Sequence, residues 1–125
     1  MRMYTKDHTW ILADGTRARV GISDFAQKEL GDIAYVELPP SGKHLERGEV
    51  ACTVDSLKSS SEVYAPLTGT VSEVNEVLAS EEKCSLVNTD PLGEGWLFSM
   101  EVSNPDELEL LISEKDYLSY IQDGK

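Results

Sequence analysis

The residue whose type and surroundings best suit it to chemistry is Lys58, in the run Asp55-Ser56-Leu57-Lys58-Ser59-Ser60-Ser61. A primary amine with small hydroxyl side chains on one side and an apolar Leu57 on the other is open to a modifying enzyme. It also leaves room for whatever is attached. Acylation there removes the ammonium charge and turns the lysine into an amide-linked arm. Carriers of biotin or lipoamide work in this way, and the cofactor supplies the difficult chemistry.

The other reactive side chains form no catalytic set. Gly93-Glu94-Gly95 lacks the later glycine and the following helix of a phosphate loop. No Gly-x-Ser-x-Gly elbow occurs. Cys52, Cys84, His8 and His44 lack metal-ligand spacing. Cys52 alternates with valines and reads as a core residue, and both cysteines read as free thiols in a reducing compartment. His8, at the start of a strand, reads as a hydrogen-bonded surface residue or as the edge of a site.

The elements that must position Lys58 follow from periodicity and turn chemistry. Trp10-Ile11-Leu12 and Ala18 to Ile22 flank Asp14-Gly15, which reads as a two-residue hairpin turn with positive φ at both positions. Ala18, Val20 and Ile22 share one face, and Arg17 and Arg19 face out. Ser23 caps a helix over Asp24 to Leu30, which Gly31 closes in a left-handed conformation. Ile33 to Leu38 is a strand that Pro39-Pro40 stops. Gly48 to Val54 and Glu62 to Leu67 alternate, the first placing Val50, Cys52 and Val54 inward, the second Val63, Ala65 and Leu67. Lys58 stands at the hairpin tip between them. Gly48-x-Val50 and Gly69-x-Val71 flank it almost symmetrically, which suggests a pair of similar β-units. Glu81-Glu82-Lys83 has room for one helical turn, and Trp96 to Val102 is a strand. Asn104, Pro105 and Glu107 form a helix start with a capping box, and Ser113 and Asp116 begin a last helix.

With 125 residues, 40% of them hydrophobic, the chain fits one domain with its own core. Its 11 Lys+Arg against 23 Asp+Glu give a net charge of −12. Nucleic acid and anionic membrane are therefore excluded as partners, and a protein with a basic docking face is favoured. The charge also favours a monomer. Met1 to Asp7 carries no apolar run, so the expected location is the cytoplasm, or a mitochondrial matrix for a mature form.

A set of short stretches, in order, carries a resemblance. They are Tyr4-Thr5-Lys6-Asp7-His8 with Trp10, Val20-Gly21-Ile22-Ser23-Asp24, Leu30-Gly31-Asp32-Ile33, Val36-Glu37-Leu38-Pro39, Val54-Asp55-Ser56-Leu57-Lys58, Tyr64-Ala65-Pro66-Leu67 with Gly69, Glu73-Val74-Asn75-Glu76, Asn88 with Asp90-Pro91, and Gly93-Glu94-Gly95-Trp96. Over nearly its whole length the chain resembles the H protein of the glycine cleavage system, a family of lipoyl-lysine carriers. The resemblance implies a mostly β, lipoyl-type barrel-sandwich hybrid of antiparallel strands with short peripheral helices in the N-terminal third and at the C-terminus. Residues 1–125 would be a single carrier domain, with a lipoyl hairpin core at about 33–75 and C-terminal helices at about 105–122.

The same resemblance implies that Lys58 carries lipoate and that Asp55, Ser56 and Leu57 are read by the attaching enzyme. Asp55 replaces the family's usual glutamate and Leu57 its usual valine, both keeping character; Ser59 stands where alanine is common. Asp7, Thr9 and Glu62 match a pocket for the loaded arm. Thr9 stands where glutamate is frequent, which removes one acidic contact, with Asp7 as its replacement. The chain would be a non-catalytic shuttle. Its partners would be a pyridoxal-phosphate glycine decarboxylase, a tetrahydrofolate-dependent aminomethyltransferase, dihydrolipoamide dehydrogenase, and a lipoate ligase or octanoyltransferase. An H-like protein that relays lipoate to other enzymes is the alternative within the same chemistry. Lipoyl domains of 2-oxo acid dehydrogenases and biotin carriers fit less well, since the chain has no linker and Leu57 and Ser59, not methionines, flank Lys58.

Overall fold

The computed structural model describes residues 2–122. Within them the chain runs β1 (Arg2–Tyr4), β2 (Thr9–Asp14), β3 (Arg17–Ile22), α1 (Asp24–Leu30), β4 (Ile33–Glu37), β5 (His44–Leu45), β6 (Val50–Ser56), β7 (Ser60–Tyr64), β8 (Gly69–Val74), α2 (Leu86–Thr89), β9 (Phe98–Val102), β10 (Ile112–Ser113) and α3 (Glu114–Gln122). Short 3₁₀ segments span Glu76–Ala79 and Pro105–Leu110. The strands form a seven-stranded sheet, β10-β1-β2-β3-β9-β8-β5, and a three-stranded sheet, β4-β6-β7. Every pairing is antiparallel. The expected mostly β architecture with short helices is thus present, although the sheets do not close into a full barrel.

Alternation decides what faces what. Ile11, Val20, Phe98 and Met100 of the large sheet and Ile33, Val36, Val54 and Val63 of the small one belong to a single buried cluster. Burying each such side chain contributes about 1.5–3 kcal/mol. Trp10, next to Ile11, is also buried because β2 is covered on both faces: its other face packs with Tyr4 and with Tyr117 of α3. The Tyr4 and Tyr117 rings stack 4.3 Å apart. Burial and the neighbouring Glu114 carboxylate push the Tyr4 hydroxyl up to about 12. The Trp10 indole N–H donates to the Pro91 carbonyl at 2.9 Å, so it is not left unpaired. Gly21 lies opposite Trp10 in the β2–β3 register. A Cβ there would meet the indole at 2.6 Å, so the ring's seat exists only because residue 21 has no side chain.

Several expectations are corrected. The first hairpin turn is Gly15-Thr16, one residue later than expected, with positive φ at Gly15 and not at Thr16. Asp14 instead pairs with Arg17 as the last rung. Val50 is 41% exposed rather than inward. A bulge opposite β7 shifts the register between Val50 and Cys52, so Val50 leaves the face that Cys52 and Val54 keep. The two glycine-flanked units lie in different sheets, β6 in the small one and β8 in the large one. Residues 105–110 are 3₁₀ rather than α, and Asn104 makes no side-chain cap. Glu107 instead accepts hydrogen bonds from the Thr68 N–H and hydroxyl. A two-residue strand, β10, precedes α3 and pairs with β1. Ser113 does cap α3, accepting the Asp116 N–H at 3.1 Å. Cys52 and Cys84 are buried free thiols, and burial pushes the Cys52 thiol up to about 12, so it offers no thiolate near neutral pH. Among the described residues no helix is long and apolar enough to cross a membrane.

Gly21→Ala should cost about 1–3 kcal/mol in urea-induced unfolding, because the Trp10 ring must leave its seat. A neutral result would show that the indole can tilt aside.

Candidate functional site

The tip of the β6–β7 hairpin is a two-residue turn, Leu57-Lys58, closed by the Ser56 N–H donating to the Ser59 carbonyl at 2.8 Å. The Ser56 hydroxyl staples it: Oγ accepts the N–H groups of Lys58 and Ser59 and donates to the Ser59 carbonyl. One rung below, the Ser60 hydroxyl donates to the Asp55 carboxylate across the hairpin. Leu57 is 78% exposed, and Lys58 is exposed beside it. None of the ion pairs among the described residues involves Lys58, so acylating its amine would break no salt bridge.

The tip is not a free end. The Leu57 N–H donates to the Asp32 carbonyl at 3.0 Å, docking the turn on the segment that leaves α1. That segment is held from below by Asn88. Its side-chain oxygen accepts the Ile33 N–H, and its amide donates to the Gln27 side chain and the Gly31 carbonyl, all at 2.9 Å. α1 begins as expected, with the Ser23 hydroxyl accepting the Ala26 N–H and Asp24 in the first turn. It ends at Gly31, whose φ of 82° is positive but whose ψ of −158° is not left-handed helical. This extended positive-φ region is almost exclusive to glycine. A Cβ on Gly31 would lie 3.4 Å from Lys58 Cε, so the lysine stem runs over the bare backbone at the end of α1.

Beside this track lies a cleft of about 320 Å³. Its walls bring together the three expected pocket residues: Asp7 and Thr9 from the β1–β2 side and Glu62 from β7. Ile22, Phe25, Leu30 and Val63 give it apolar surface. A second concavity of the same volume shares Asp7 but takes no residue from α1 or β7. His8 lines the cleft, in keeping with its reading as the edge of a site, and sequence reasoning missed two further polar lining residues, Glu29 and Ser61. A signal for Glu29 was available, since it stands four residues after Phe25 and so shares its helix face.

His8 adopts φ 68°, the one positive value at a non-glycine among the described residues. Backbone bonds to Thr5 and Ser23 hold it there. Its Nδ1 lies 2.7 Å from the Tyr117 hydroxyl, which is 2.7 Å from the Ser23 hydroxyl. Its ring tilts against Phe25 with centroids 4.7 Å apart. Burial pulls the imidazole below 6.5, while the Asp7 and Glu29 carboxylates pull more weakly the other way. No cluster of residues suited to a metal ion occurs among the described residues.

The sequence profile of the family described as glycine cleavage H-protein matches residues 2–124. The chain belongs to that family. It is 47% identical over 120 residues to the glycine cleavage system H protein of Thermotoga maritima, covering 96% of this chain and 95% of that one. It is 51% identical over 122 residues to the probable H protein of Thermococcus gammatolerans, covering 95% and 88%. Among solved structures, the H protein of Mycobacterium marinum superposes with a TM-score of 0.82 at 35% identity, covering 99% of this chain and 97% of the other. Members of the family are lipoyl carriers of glycine cleavage that work with the other components of that system and are not themselves catalytic. A long apolar arm suits the residues found here: an exposed lysine, a track without a Cβ and a cleft with apolar walls.

Asn88→Ala should cost about 1–3 kcal/mol in urea unfolding, because it strips the partner from the Ile33 N–H and the Gly31 carbonyl. Histidine ring NMR should place the His8 midpoint below 6.5. The unfolded chain then takes up the proton first, so the stability held by neutral His8 is complete above 6.5 and is lost as the pH falls through the lowered folded value. A midpoint above 6.5 would mean that Asp7 and Glu29 outweigh burial.

Proposed function

We propose that Lys58 is the lipoylated residue and that the chain works as a monomeric, cytoplasmic carrier within a single domain. The observation that carries this reading is the Lys58 tip itself, exposed, stapled by Ser56 and docked on the Gly31–Asp32 backbone beside the cleft. Bound lipoate would supply a disulfide that opens to accept an aminomethyl group and closes again by thiol–disulfide exchange. Asp55, Ser56 and Leu57 form the surface that a lipoate ligase or octanoyltransferase reads, with Leu57 offering an apolar contact next to the amine. Gly31 lets the lysine stem lie flat toward the cleft. Ile22, Phe25, Leu30 and Val63 keep water from the arm, and Asp7, Thr9 and Glu62 receive its amine end.

Glycine decarboxylase would load the aminomethyl group, the tetrahydrofolate-dependent aminomethyltransferase would remove it, and dihydrolipoamide dehydrogenase would reoxidise the carrier. A charge of −12 favours basic docking faces on these enzymes and association that weakens with salt.

The test is co-expression with an active lipoate ligase and measurement of the mass of the Lys58 peptide. A lipoyl-sized increment is expected on Lys58, and none on Lys58→Arg, which should keep its stability within about 0.5 kcal/mol. An unmodified Lys58 beside an acceptor that the same ligase does modify would overturn the assignment.

A further inference from the structure

One hydroxyl group joins three elements that lie far apart in the chain. Tyr117 of α3 places its Oη 2.7 Å from Nδ1 of His8, in the turn before β2, and 2.7 Å from Oγ of Ser23, the cap of α1. Ser23 is 2% exposed, and its Oγ also accepts the Ala26 N–H at 3.1 Å. Neither hydroxyl has a further hydrogen-bond partner among the described residues. The Tyr117 ring itself is held by its stack on Tyr4.

Counting hydrogens decides the state of His8. When Nδ1 carries none, Tyr117 donates to Nδ1 and Ser23 donates to Tyr117, so each hydrogen in the row has an acceptor. When Nδ1 carries one, it donates to Tyr117 and Tyr117 donates to Ser23. The buried Ser23 hydrogen is then left without an acceptor, which destabilises that arrangement. The row therefore disfavours both the imidazolium and the neutral ring with Nδ1–H. It selects the neutral ring with its hydrogen on Nε2, an atom that bonds to no protein group among the described residues.

We propose that Tyr117 is a positioning residue: its hydroxyl fixes His8 as the neutral Nε2–H tautomer at the edge of the cleft, and the same bonds make the docking of α3 depend on His8 staying unprotonated. Acid reverses both bonds and strands the Ser23 hydrogen, which undocking of α3 releases to water. Charged groups face the imidazole from each element around it. Asp7 precedes it, Glu29 stands on α1 and Glu62 on β7 across the cleft, and these carboxylates favour the imidazolium. Asp24 and Lys28 of α1 pair with each other at 3.0 Å. From α3 come Tyr117 and Tyr120, and the Lys6 ammonium, 5.6 Å from the Tyr120 ring, opposes the carboxylates. Burial outweighs them and keeps the imidazole below 6.5, and the row of hydroxyls acts in the same direction. The inference does not require Lys58 to carry anything.

The intact, unlipoylated chain tests it. Long-range ¹H–¹⁵N NMR of the imidazole, recorded above its midpoint, should show Nε2–H for His8. Amide hydrogen exchange, expressed as protection relative to the unfolded chain, then follows α3 through the titration. The undocked imidazole has the higher midpoint, so docking is complete above 6.5 and is lost as the pH falls toward the lowered docked value. Protection of the α3 amides should fall by up to about tenfold per pH unit below 6.5 and level off beneath the His8 midpoint. It should stay below that of β3 throughout, as a local opening requires. Tyr117→Phe, which keeps the ring on Tyr4, should leave His8 a mixture of tautomers and raise its midpoint toward 6.5. His8→Asn, which tolerates the left-handed backbone and cannot titrate, should remove the α3 step. An Nδ1–H tautomer, equal protection in α3 and β3, a step that follows the His44 midpoint, or an unchanged His8 tautomer and midpoint in Tyr117→Phe would overturn the inference.

Discussion

The geometry of the site depends on one side-chain amide that sits outside it. Asn88 bonds to Gln27, Gly31 and Ile33, and so joins the end of α1 to the start of β4. Asp32, between the clamped residues, is the one whose carbonyl takes the Leu57 N–H. A hairpin tip with two turn residues would otherwise sway with its strands. Here it is fixed to a helix end that is fixed in turn to α2. The carrier therefore combines a still platform with a mobile side chain, and the only long flexible element at the tip is the lysine itself.

The same arrangement explains why so few residues near Lys58 are free to vary in shape. Ser56 spends its hydroxyl on the turn and Asp55 on Ser60, so both are committed to the hairpin before any enzyme reads them. Gly31 has to lack a side chain because of its backbone angles, and the lysine stem passes over it at ordinary contact distance. Charge follows a different logic. The excess of carboxylates keeps the surface solvated.

What could be read from the sequence was what neighbouring residues decide among themselves. The cap at Ser23, the bounds of α1, the break at Pro39-Pro40 and the exposed tip at Lys58 are local matters of hydrogen bonding and backbone preference. Grouping Asp7, Thr9 and Glu62 came from resemblance, and the fold does bring them to one cleft. What stayed hidden was set by partners distant in sequence. Val50 follows perfect alternation, yet a bulge against β7 turns it outward. Glu107 looks like a capping-box residue but is claimed by Thr68. β10 is two residues long and exists only because β1 offers an edge. Glu29 reads as an ordinary helix-surface acid until the opposite wall is in place.

The pairing of β1 with β10, together with the Tyr4–Tyr117 stack and the Tyr4 hydroxyl bond to Glu114, joins residues up to 113 positions apart. Trp10, the largest side chain beneath α3, cannot be covered on that face until the last helix has been made. During synthesis the β2–β3 hairpin must therefore wait with an open edge and an uncovered indole while the ribosome completes the chain. Contacts of such long range slow folding, and an exposed edge invites pairing with another copy. A net charge of −12 works against that pairing, because copies of the chain repel one another.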